Sequence, residues 1–320
     1  IKDETHFNEA ALSIFRNQFE RNEVYNMYVQ ALQLKAEEFM TVEQIPFLPI
    51  EFFKTHQITA ASPASLTSSK KFTSSSTTGS VQSTHFVSDV SVYEESFRKT
   101  FEHFYGSIES YCILALLPSY LDRADSSLVY MTNDLINRTK NPHSGFYLHN
   151  IDELIEKINF LEYQNQKTIL LGVTYALLDL AEKHNFVLKN TLVMETGGMK
   201  GRRKEIVREE LHEFLCRGFG VTKIHSEYGM TELLSQAYSK ENGIFYCPPW
   251  MKVVVRDIND PFKTLEFGKT GGINVVDLAN INSCAFIATQ DLGRVYEDGS
   301  FEVLGRFDNS DLRGCNLMME

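Results

Sequence analysis

The sequence predicts an α/β fold in which helix-flanked sheets are followed by a small, distorted β-barrel. Between residues 111 and 228, short apolar runs alternate with stretches whose apolar residues recur at helical spacing. This alternation is typical of a parallel sheet covered by helices on both faces. After Trp250 the chain changes to short apolar strands separated by glycine-containing turns, which favours a distorted antiparallel sheet or small barrel. A hydrophobic content of 43% in 320 residues supplies a normal globular core.

The first 58 residues predict a helical segment. Apolar residues recur at the spacing that places one face of a helix on a core. They are Phe7, Ala10, Ala11, Ile14 and Phe15, followed by Tyr25, Tyr28, Val29 and Leu32. Pro46 and Pro49 end this segment, because proline interrupts helical hydrogen bonding. Residues 59–84 are rich in Ser, Thr and Ala and read in isolation as a linker, although a linker does not normally need Gly79 after six hydroxyl-bearing residues.

Three apolar runs predict strands in the middle region, at residues 112–117, 168–171 and 191–194. One of the intervening helices is predicted to place Val207, Leu211, Phe214 and Leu215 on one face and to end at Gly218 and Gly220. In the β-rich part, strands are predicted at residues 253–258, 273–278, 285–289 and 301–304. No internal repeat is evident.

Charge and hydropathy exclude several classes of function. A formal net charge of −11 provides no basic field for tracking a phosphate backbone, so nucleic-acid binding is not expected. No apolar run approaches the roughly 20 residues that span a bilayer, and the first residues lack the features of a signal peptide. A cytoplasmic location without a membrane span is expected.

Five cysteines are scattered along the chain without a close pair, at positions 112, 216, 247, 284 and 315. This spacing fits neither a disulfide framework nor a zinc site. The first four read as small buried apolar residues. Cys315 is different, because it lies near the end of the sequence, where chains are usually mobile.

Four short motifs follow one another in a fixed order. They are Ser74 to Gly79 (SSSTTG), Tyr228 to Glu232 (YGMTE), Thr289 to Arg294 (TQDLGR) and Gly305 to Asp308 (GRFD). This order resembles the acyl-adenylate-forming enzymes, which use ATP to activate a carboxylic acid to an acyl-AMP. The closest resemblance is to the bacterial acyl-protein synthetases of the LuxE type, which move the acyl group onto a protein cysteine. The segments IPFLPI at 45–50 and DLRGCNL at 311–317 share this resemblance.

The first motif resembles the phosphate loop of that superfamily, within residues 73–82. Its members are Ser74, Ser75, Ser76, Thr77, Thr78 and Gly79. Hydroxyl and backbone N–H groups grip a triphosphate without adding bulk, and Gly79 permits a tight turn. Superfamily members usually have glycine in place of Ser76 and often proline and lysine in place of Val81 and Gln82. The loss of that cation implies either slower activity or dependence on another positive group, for which the candidates are Lys70, Lys71, Lys200, Arg202 and Arg203.

The second motif follows a predicted strand and is predicted to open a helix, at the kind of turn where α/β sheets present ligand-binding groups. The resemblance implies that Tyr228 packs on the adenine, beside Gly229 and Met230, and that Thr231 contacts the α-phosphate. It implies that Glu232 coordinates magnesium. The alternative for Glu232 is a first-turn carboxylate that stabilises the helix N-terminus.

Further nucleotide contacts are implied by two other stretches. Thr196, Gly197 and Gly198 end a predicted strand and resemble a segment beside the adenylate site; the basic residues after them are predicted to start a helix and to face an anion. Asp291 resembles the aspartate that accepts both ribose hydroxyls, for which a carboxylate has the acceptor capacity. Arg306 matches the arginine at the superfamily hinge, and Asp308 the position about which a C-terminal domain rotates.

The resemblance divides the chain into an adenylating large domain, residues 1–305, and a hinge with a short tail, residues 306–320. The large domain comprises the helical segment 1–58, the loop 73–82 and the β-rich part 251–305. Relatives continue for about a hundred residues beyond the hinge, so the C-terminal domain is expected to be truncated. An acyl acceptor needs only a nucleophile on a mobile tether, and Cys315 fits as the thiolate, with Arg313 lowering its pKa.

We therefore expect an ATP- and Mg²⁺-dependent ligase that activates a fatty or other small carboxylic acid and forms a thioester, with an acyl-accepting reductase or transferase as partner. A phenylacetate-CoA-ligase-like enzyme is the first alternative. An inactive module of the same fold that binds nucleotide or an acyl group is the second. His225 either polarises the carboxylate or is a structural histidine.

Overall fold

The computed structural model describes residues 1–75, 81–119, 121–197 and 206–307. The helices in these ranges are α1 (Glu4–Arg21), α2 (Glu23–Ala31), α3 (Phe52–Thr55), α4 (Pro63–Leu66), α5 (Val90–Tyr105), α6 (Ser127–Thr139), α7 (Ile151–Tyr163), α8 (Thr174–Lys183) and α9 (Arg208–Phe219). Short 3-10 helices lie at Ala36–Glu38, Val42–Gln44 and Ile108–Ser110. None of these helices combines the length and the apolar character needed to cross a membrane.

The strands in the same ranges are β1 (Leu48–Pro49), β2 (Lys70–Thr73), β3 (Thr84–Val87), β4 (Cys112–Leu116), β5 (Gly145–Phe146), β6 (Thr168–Val173), β7 (Thr191–Thr196), β8 (His225–Tyr228), β9 (Ala237–Ser239), β10 (Ile244–Tyr246), β11 (Met251–Arg256), β12 (Thr270–Asp277), β13 (Phe286–Val295) and β14 (Phe301–Arg306). Every strand predicted from the sequence is present, with its bounds moved by a few residues.

Among the described residues, twelve strands join into one sheet in the order β11-β12-β13-β14-β10-β9-β8-β7-β6-β4-β5, with β1 parallel to β13. Strands β4 to β8 pair in parallel, whereas β8 to β14 pair antiparallel with their neighbours. The predicted α/β class is therefore confirmed. The β-rich part continues the parallel sheet, and register shifts next to Gly272 and Leu292 distort it.

Within the described ranges, two hydrophobic cores lie against the two halves of the sheet. Helices α5 to α9 cover the parallel half, where β4 and β6 are buried along their whole length. Helices α1 and α2 cover the antiparallel half, with Phe15 and Tyr25 packed against Phe286 of β13. Buried Gln18 of α1 donates to Asn280 O at 2.8 Å and accepts from Ala285 N–H at 2.9 Å. The predicted N-terminal helices are thus held to the antiparallel strands.

Helix α9 differs in part from its prediction. Leu211 and Leu215 are buried as expected, and Gly220 ends the helix at a positive φ of +64°, a conformation that favours glycine. Val207 precedes the helix and is exposed, because the described helix begins only at Arg208. Of the four cysteines read as buried, Cys112 and Cys284 are buried, whereas Cys216 and Cys247 are half-buried.

Candidate functional site

The carboxyl ends of β7 and β8 lie side by side at one edge of the sheet and carry two buried carboxylates on opposite faces. In the parallel register Glu195 is paired with Ser226 and Thr196 with Glu227. Successive side chains of a strand point to opposite faces, so the first pair faces α9 and the second faces away from it. A strand end of this kind is where open α/β sheets bind ligands.

On the face away from α9, Thr196 is held by Glu227. Its hydroxyl donates to Oε2 of Glu227 at 2.5 Å, and both side chains are buried. A β-carbon at Gly229 would lie 2.4 Å from Oε1 of the same carboxylate, so a side chain at this position of the second motif would displace the buried Glu227 carboxylate. Gly197 has a φ of +54°. The predicted residues Thr196 and Gly197 therefore lie directly beside the second motif.

On the face towards α9, Glu195 is enclosed by basic side chains. Arg208 donates to Oε1 at 2.5 Å, and Nε2 of His212 lies 3.8 Å from the same oxygen. Arg208 also donates to Ser226 Oγ at 3.3 Å. Burial alone would raise the pKa of Glu195, but the contacts with His212 and Arg208 lower it to about 2. This ion pair ties α9 to β7 and β8.

The depressed pKa of Glu195 predicts an acid-dependent loss of stability. The carboxylate contributes fully above its unfolded pKa of about 4.5, and the contribution disappears as the pH falls towards 2. It amounts to roughly 3 kcal/mol at neutral pH. Glu195→Gln should therefore lower the free energy of unfolding at pH 7, with a difference from wild type that shrinks between pH 4.5 and 2 in denaturant titrations.

The same exchange at exposed Glu213 of α9, which pairs with Arg217 at 2.9 Å, is the matched control and should change little. A Glu195→Gln protein as stable as wild type at pH 7 would contradict this role for the buried ion pair.

Asp291 of β13 is buried between a tyrosine and an arginine. Tyr228 Oη donates to Oδ2 at 2.8 Å, and Nε of Arg306 donates to Oδ1 at 3.1 Å. Asp291 is directly opposite Arg306 in the β13–β14 register. Each oxygen accepts one of these bonds, and a carboxylate has about four acceptor positions. The side chain therefore retains acceptor capacity for two hydroxyl groups.

Tyr228 orients this carboxylate from a packed position. Its ring makes edge contacts with Phe245 at 5.9 Å and Phe301 at 5.5 Å between centroids, and it is 9% exposed. Burial and the neighbouring Asp291 raise the pKa of Tyr228, so the hydroxyl keeps its proton and remains a donor. The second and third motifs are therefore joined by a direct hydrogen bond.

The prediction that the second motif opens a helix is wrong. Residues 229–236 form a turn that leads into β9. Buried Asp277 explains the difference, because it accepts from the N–H groups of Leu234 and Ser235 at 2.7 and 3.0 Å and from the Ser235 hydroxyl at 2.5 Å. Because these two N–H groups donate to Asp277, they do not donate to the carbonyl groups one helical turn earlier. The helix-capping alternative for Glu232 is therefore contradicted.

Glu232 lies in this turn and is 5% exposed. Burial raises the pKa of its carboxyl, whereas interactions with Ser83, Arg306 and Lys54 act in the opposite direction. Ser83 lies at the end of the predicted phosphate loop, just before β3, whereas Arg306 lies on β14 and Lys54 on α3. Arg306 thus donates to Asp291 and is near enough to Glu232 to affect the pKa of its carboxyl, so the second, third and fourth motifs lie near one another.

The base of the predicted phosphate loop is closed by hydrogen bonds between its two ends. Ser74 N–H donates to Ser83 O at 3.1 Å, and Ser83 N–H donates to Ser74 Oγ at 2.9 Å. Gln82, in the usual lysine position, donates to Ser74 O at 2.9 Å. Ser75 follows directly. These contacts place the loop base beside Glu232 through Ser83.

Several predicted residues lie outside the described ranges, and their predictions stay as they were. They are Ser76, Thr77, Thr78, Gly79, Gly198, Lys200, Arg202, Arg203, Asp308, Arg313 and Cys315. Of the cations proposed to replace the loop lysine, Lys70 lies 5.5 Å from the ring centre of Tyr130, and Lys71 lies 5.9 Å from that of Phe86. Lys54, which belongs to none of the four motifs, interacts with Glu232 instead.

The donor set fits the magnesium chemistry that the resemblance implies. The described residues contain no group of three or more acidic, histidine or cysteine side chains suited to a metal. Mg²⁺ usually keeps several waters and is held by one or two carboxylates together with substrate phosphates. Glu232 at the base of a phosphate loop matches that mode, whereas a dedicated protein cage does not.

His225 has the environment of a structural histidine. It begins β8, at the opposite end of the strand from Tyr228, and its Nδ1 lies 3.1 Å from Tyr105 Oη. Burial, followed by the nearby Lys223 and Lys240, lowers its pKa to about 4. A neutral ring with a tyrosine partner favours the structural alternative.

Comparison with known proteins supports the same interpretation of the fold. The family model of the acyl-protein synthetase LuxE matches residues 2–320. No curated protein sequence matches the chain. Among solved structures, ATP-bound MatB from Rhodopseudomonas palustris is 18% identical, with a TM-score of 0.56 over 87% of this chain and 52% of that chain.

A second solved structure is similar over a larger share of the chain. It is 2-hydroxyisobutyryl-CoA ligase in complex with 2-HIB-AMP and CoA in the thioesterification state, 11% identical, with a TM-score of 0.70 over 96% of this chain and 68% of that chain. At these identities the likeness shows a shared fold. The chain spans about half the length of MatB.

Proposed function

Because the chain belongs to the LuxE acyl-protein synthetase family, we propose that it uses ATP to activate a fatty acid to an acyl-AMP and transfers the acyl group to a protein cysteine as a thioester. The observation that carries this proposal is the meeting of three motifs around Arg306. Asp291 accepts from its guanidinium, Glu232 interacts with its charge, and Glu232 is hydrogen-bonded to Ser83 at the base of the loop. This arrangement supports a site in which the proposed ribose acceptor, the proposed magnesium ligand and the proposed phosphate loop share one edge of the sheet.

In this proposal the nucleotide is bound along that edge. Asp291 accepts the two ribose hydroxyls on the acceptor positions that Tyr228 and Arg306 leave. Tyr228, with Gly229 and Met230, lies beside the adenine. The backbone and hydroxyl groups of residues 74–79 hold the β- and γ-phosphates, and Thr196 and Gly197 border the adenylate.

The first chemical step joins the acid to the α-phosphate. A carboxylate oxygen of the fatty acid attacks the α-phosphorus, the bond to the bridging oxygen of pyrophosphate breaks, and pyrophosphate leaves with the electron pair. Thr231 contacts the α-phosphate, and the cationic Arg306 and Lys54 offset the charge that develops there. When bound to Glu232, Mg²⁺ offsets phosphate charge as a Lewis acid.

The second step transfers the acyl group to Cys315. The thiolate attacks the carbonyl carbon of the acyl-AMP, the bond from that carbon to the phosphate oxygen breaks, and AMP leaves. In this scheme residues 1–305 are the adenylating domain, and residues 306–320 are the hinge and tail. The proposed final partner is an acyl-accepting reductase or transferase. Coenzyme A as acceptor is the alternative outcome.

Incubation with a radiolabelled fatty acid tests this proposal. With ATP and Mg²⁺, label should remain on the denatured protein and be released by neutral hydroxylamine, which cleaves thioesters. If the label appeared only in added coenzyme A, the acceptor would be coenzyme A and the protein would be a CoA ligase.

Asp291→Ala should weaken ATP binding about 100-fold or more, because two hydrogen bonds to a charged acceptor are lost. Calorimetry measures this change, and the thermal midpoint reports on the fold. Wild-type protein should also bind 2′-deoxy-ATP more weakly than ATP, whereas the variant should bind both nucleotides about equally. Unchanged ATP affinity at an unchanged thermal midpoint would show that Asp291 does not bind ribose.

A further inference from the structure

The backbone of the Thr231–Glu232 turn is held by two buried side chains that the proposed function does not use. Nδ1 of His85 lies 2.9 Å from Thr231 O, and Asn280 Nδ2 donates to Glu232 O at 2.8 Å. Both side chains are fully buried. His85 belongs to β3, the strand that follows the phosphate loop, so the contact links the loop hairpin directly to the turn.

The two carbonyl groups fix the hydrogen positions of this pair. A carbonyl oxygen only accepts, so Nδ1 of His85 carries the hydrogen, and burial lowers the pKa of His85 to about 4, which keeps the ring neutral at pH 7. Its Nε2 is then an acceptor. The amide of Asn280 is oriented in the same way, with nitrogen towards Glu232 O and Oδ1 on the other side.

A small cavity lies beside these two acceptors. His85 Nε2, Asn280 Oδ1 and Ser283 Oγ are buried, and within the described part of the chain none makes a well-formed hydrogen bond, although the side chain of Asn280 is near enough to that of His85 to act against the lowering of its pKa. All three residues line one cavity of about 10 Å³, about the size that holds a single water. Two acceptors cannot bond to each other. A water can donate one O–H to each of them and accept the Ser283 hydroxyl.

We propose that His85 and Asn280 are positioning residues that hold the carbonyl oxygens of Thr231 and Glu232, and that one buried water bridging His85, Asn280 and Ser283 completes this clamp. The effect of this clamp on the reaction rate depends on the proposed function. It holds the turn through the backbone oxygens of Thr231 and Glu232. Phe53 contacts the ring of His85 edge-on at 5.5 Å and is adjacent to Lys54, so the cation of α3 is held by the same cluster.

Substitutions at His85 test the positioning role. An asparagine amide nitrogen can take the place of Nδ1, whereas glutamine places its amide near Nε2 and lacks a donor to Thr231 O. His85→Gln should lower the rate of acid-dependent pyrophosphate exchange by about 10- to 100-fold and change ATP affinity less than threefold. His85→Asn should recover most of that rate.

Two further variants complete the series. Asn280→Asp places an acceptor against Glu232 O and should resemble His85→Gln. Ile158→Val, in α7 of the other core, is the control for lost stability and should leave the exchange rate unchanged. Equal rates for the asparagine and glutamine variants at His85 would overturn the positioning role.

The clamp also has a readout that does not need activity. Nitrogen NMR of histidine-labelled protein at pH 7 should show one neutral ring with hydrogen on Nδ1, whose signal disappears in His85→Asn. A high-resolution crystal structure should show a water within hydrogen-bond distance of all three atoms. Hydrogen on Nε2, or a direct bond between His85 and Asn280 without a water, would refute the clamp even if exchange activity were normal. Absent exchange with the predicted tautomer and water would refute the proposed function alone.

Discussion

Glu232→Gln should reduce acid-dependent pyrophosphate exchange by about 100- to 1,000-fold while ATP affinity changes less than tenfold. Glutamine has the shape of glutamate without its charge, so the turn held by Asp277, His85 and Asn280 should persist. The missing negative charge removes the proposed magnesium ligand and the charge interaction of Glu232 with Arg306 and Lys54. The loss should therefore appear in the rate of chemistry, and the Mg²⁺ concentration for half-maximal exchange should rise.

Glu302→Gln is the matched control for this experiment. Glu302 lies on β14 and pairs with Arg294 at 3.0 Å, in a partly buried position away from Glu232. The Glu302→Gln variant should have the same exchange rate and the same magnesium dependence as the wild type. A Glu232→Gln enzyme with unaltered magnesium dependence would show that Glu232 is not the magnesium ligand.

Cys315→Ser should abolish the hydroxylamine-labile acyl-protein while acyl-AMP formation and pyrophosphate exchange continue at the wild-type rate. Adenylation precedes attack by the thiolate, and a serine hydroxyl is a far poorer nucleophile at neutral pH. The two chemical steps should therefore separate cleanly in one variant. Radiolabelled fatty acid followed on denatured protein, together with exchange measured on the same preparation, gives both rates.

Cys216→Ser is a suitable control for the thiol chemistry. Cys216 is a half-buried cysteine on α9, and burial raises its pKa, which disfavours the reactive thiolate. This variant should keep the acyl-protein. If Cys315→Ser accumulated the same labile acyl-protein at the wild-type rate, Cys315 would not be the carrier.

The sequence predicted most of the fold because its apolar patterns are strong. The continuous apolar runs of β4, β6 and β7 carry the signal of a buried parallel sheet, and the structure places them at its centre. The glycine-rich strands after Trp250 were also recognisable. The turn after Tyr228 was not, because local propensity favoured a helix and the side chain that prevents it, Asp277, lies more than 40 residues away.

The sequence predicted those residues of the candidate site that belong to short motifs. Asp291, Glu232 and Arg306 were identified from their motifs, and the structure brings them together. Arg208, His85 and Asn280 were missed because each acts on a partner distant in sequence, and none belongs to a motif. Glu195 and Glu227 carried a usable signal, since each is the penultimate residue of one of two adjacent parallel strands, which places two carboxylates at one edge.

Acid-dependent exchange of radiolabelled pyrophosphate into ATP tests the central claim most directly, because it requires formation of an acyl-AMP and nothing beyond it. With the wild-type chain, Mg²⁺ and a series of fatty acids, we predict exchange that rises with acid concentration, saturates and stops when the acid is omitted. ATP binding measured on the same protein gives the reference. Normal ATP binding with no exchange for any acid would contradict the account and identify the chain as a nucleotide-binding module of this fold.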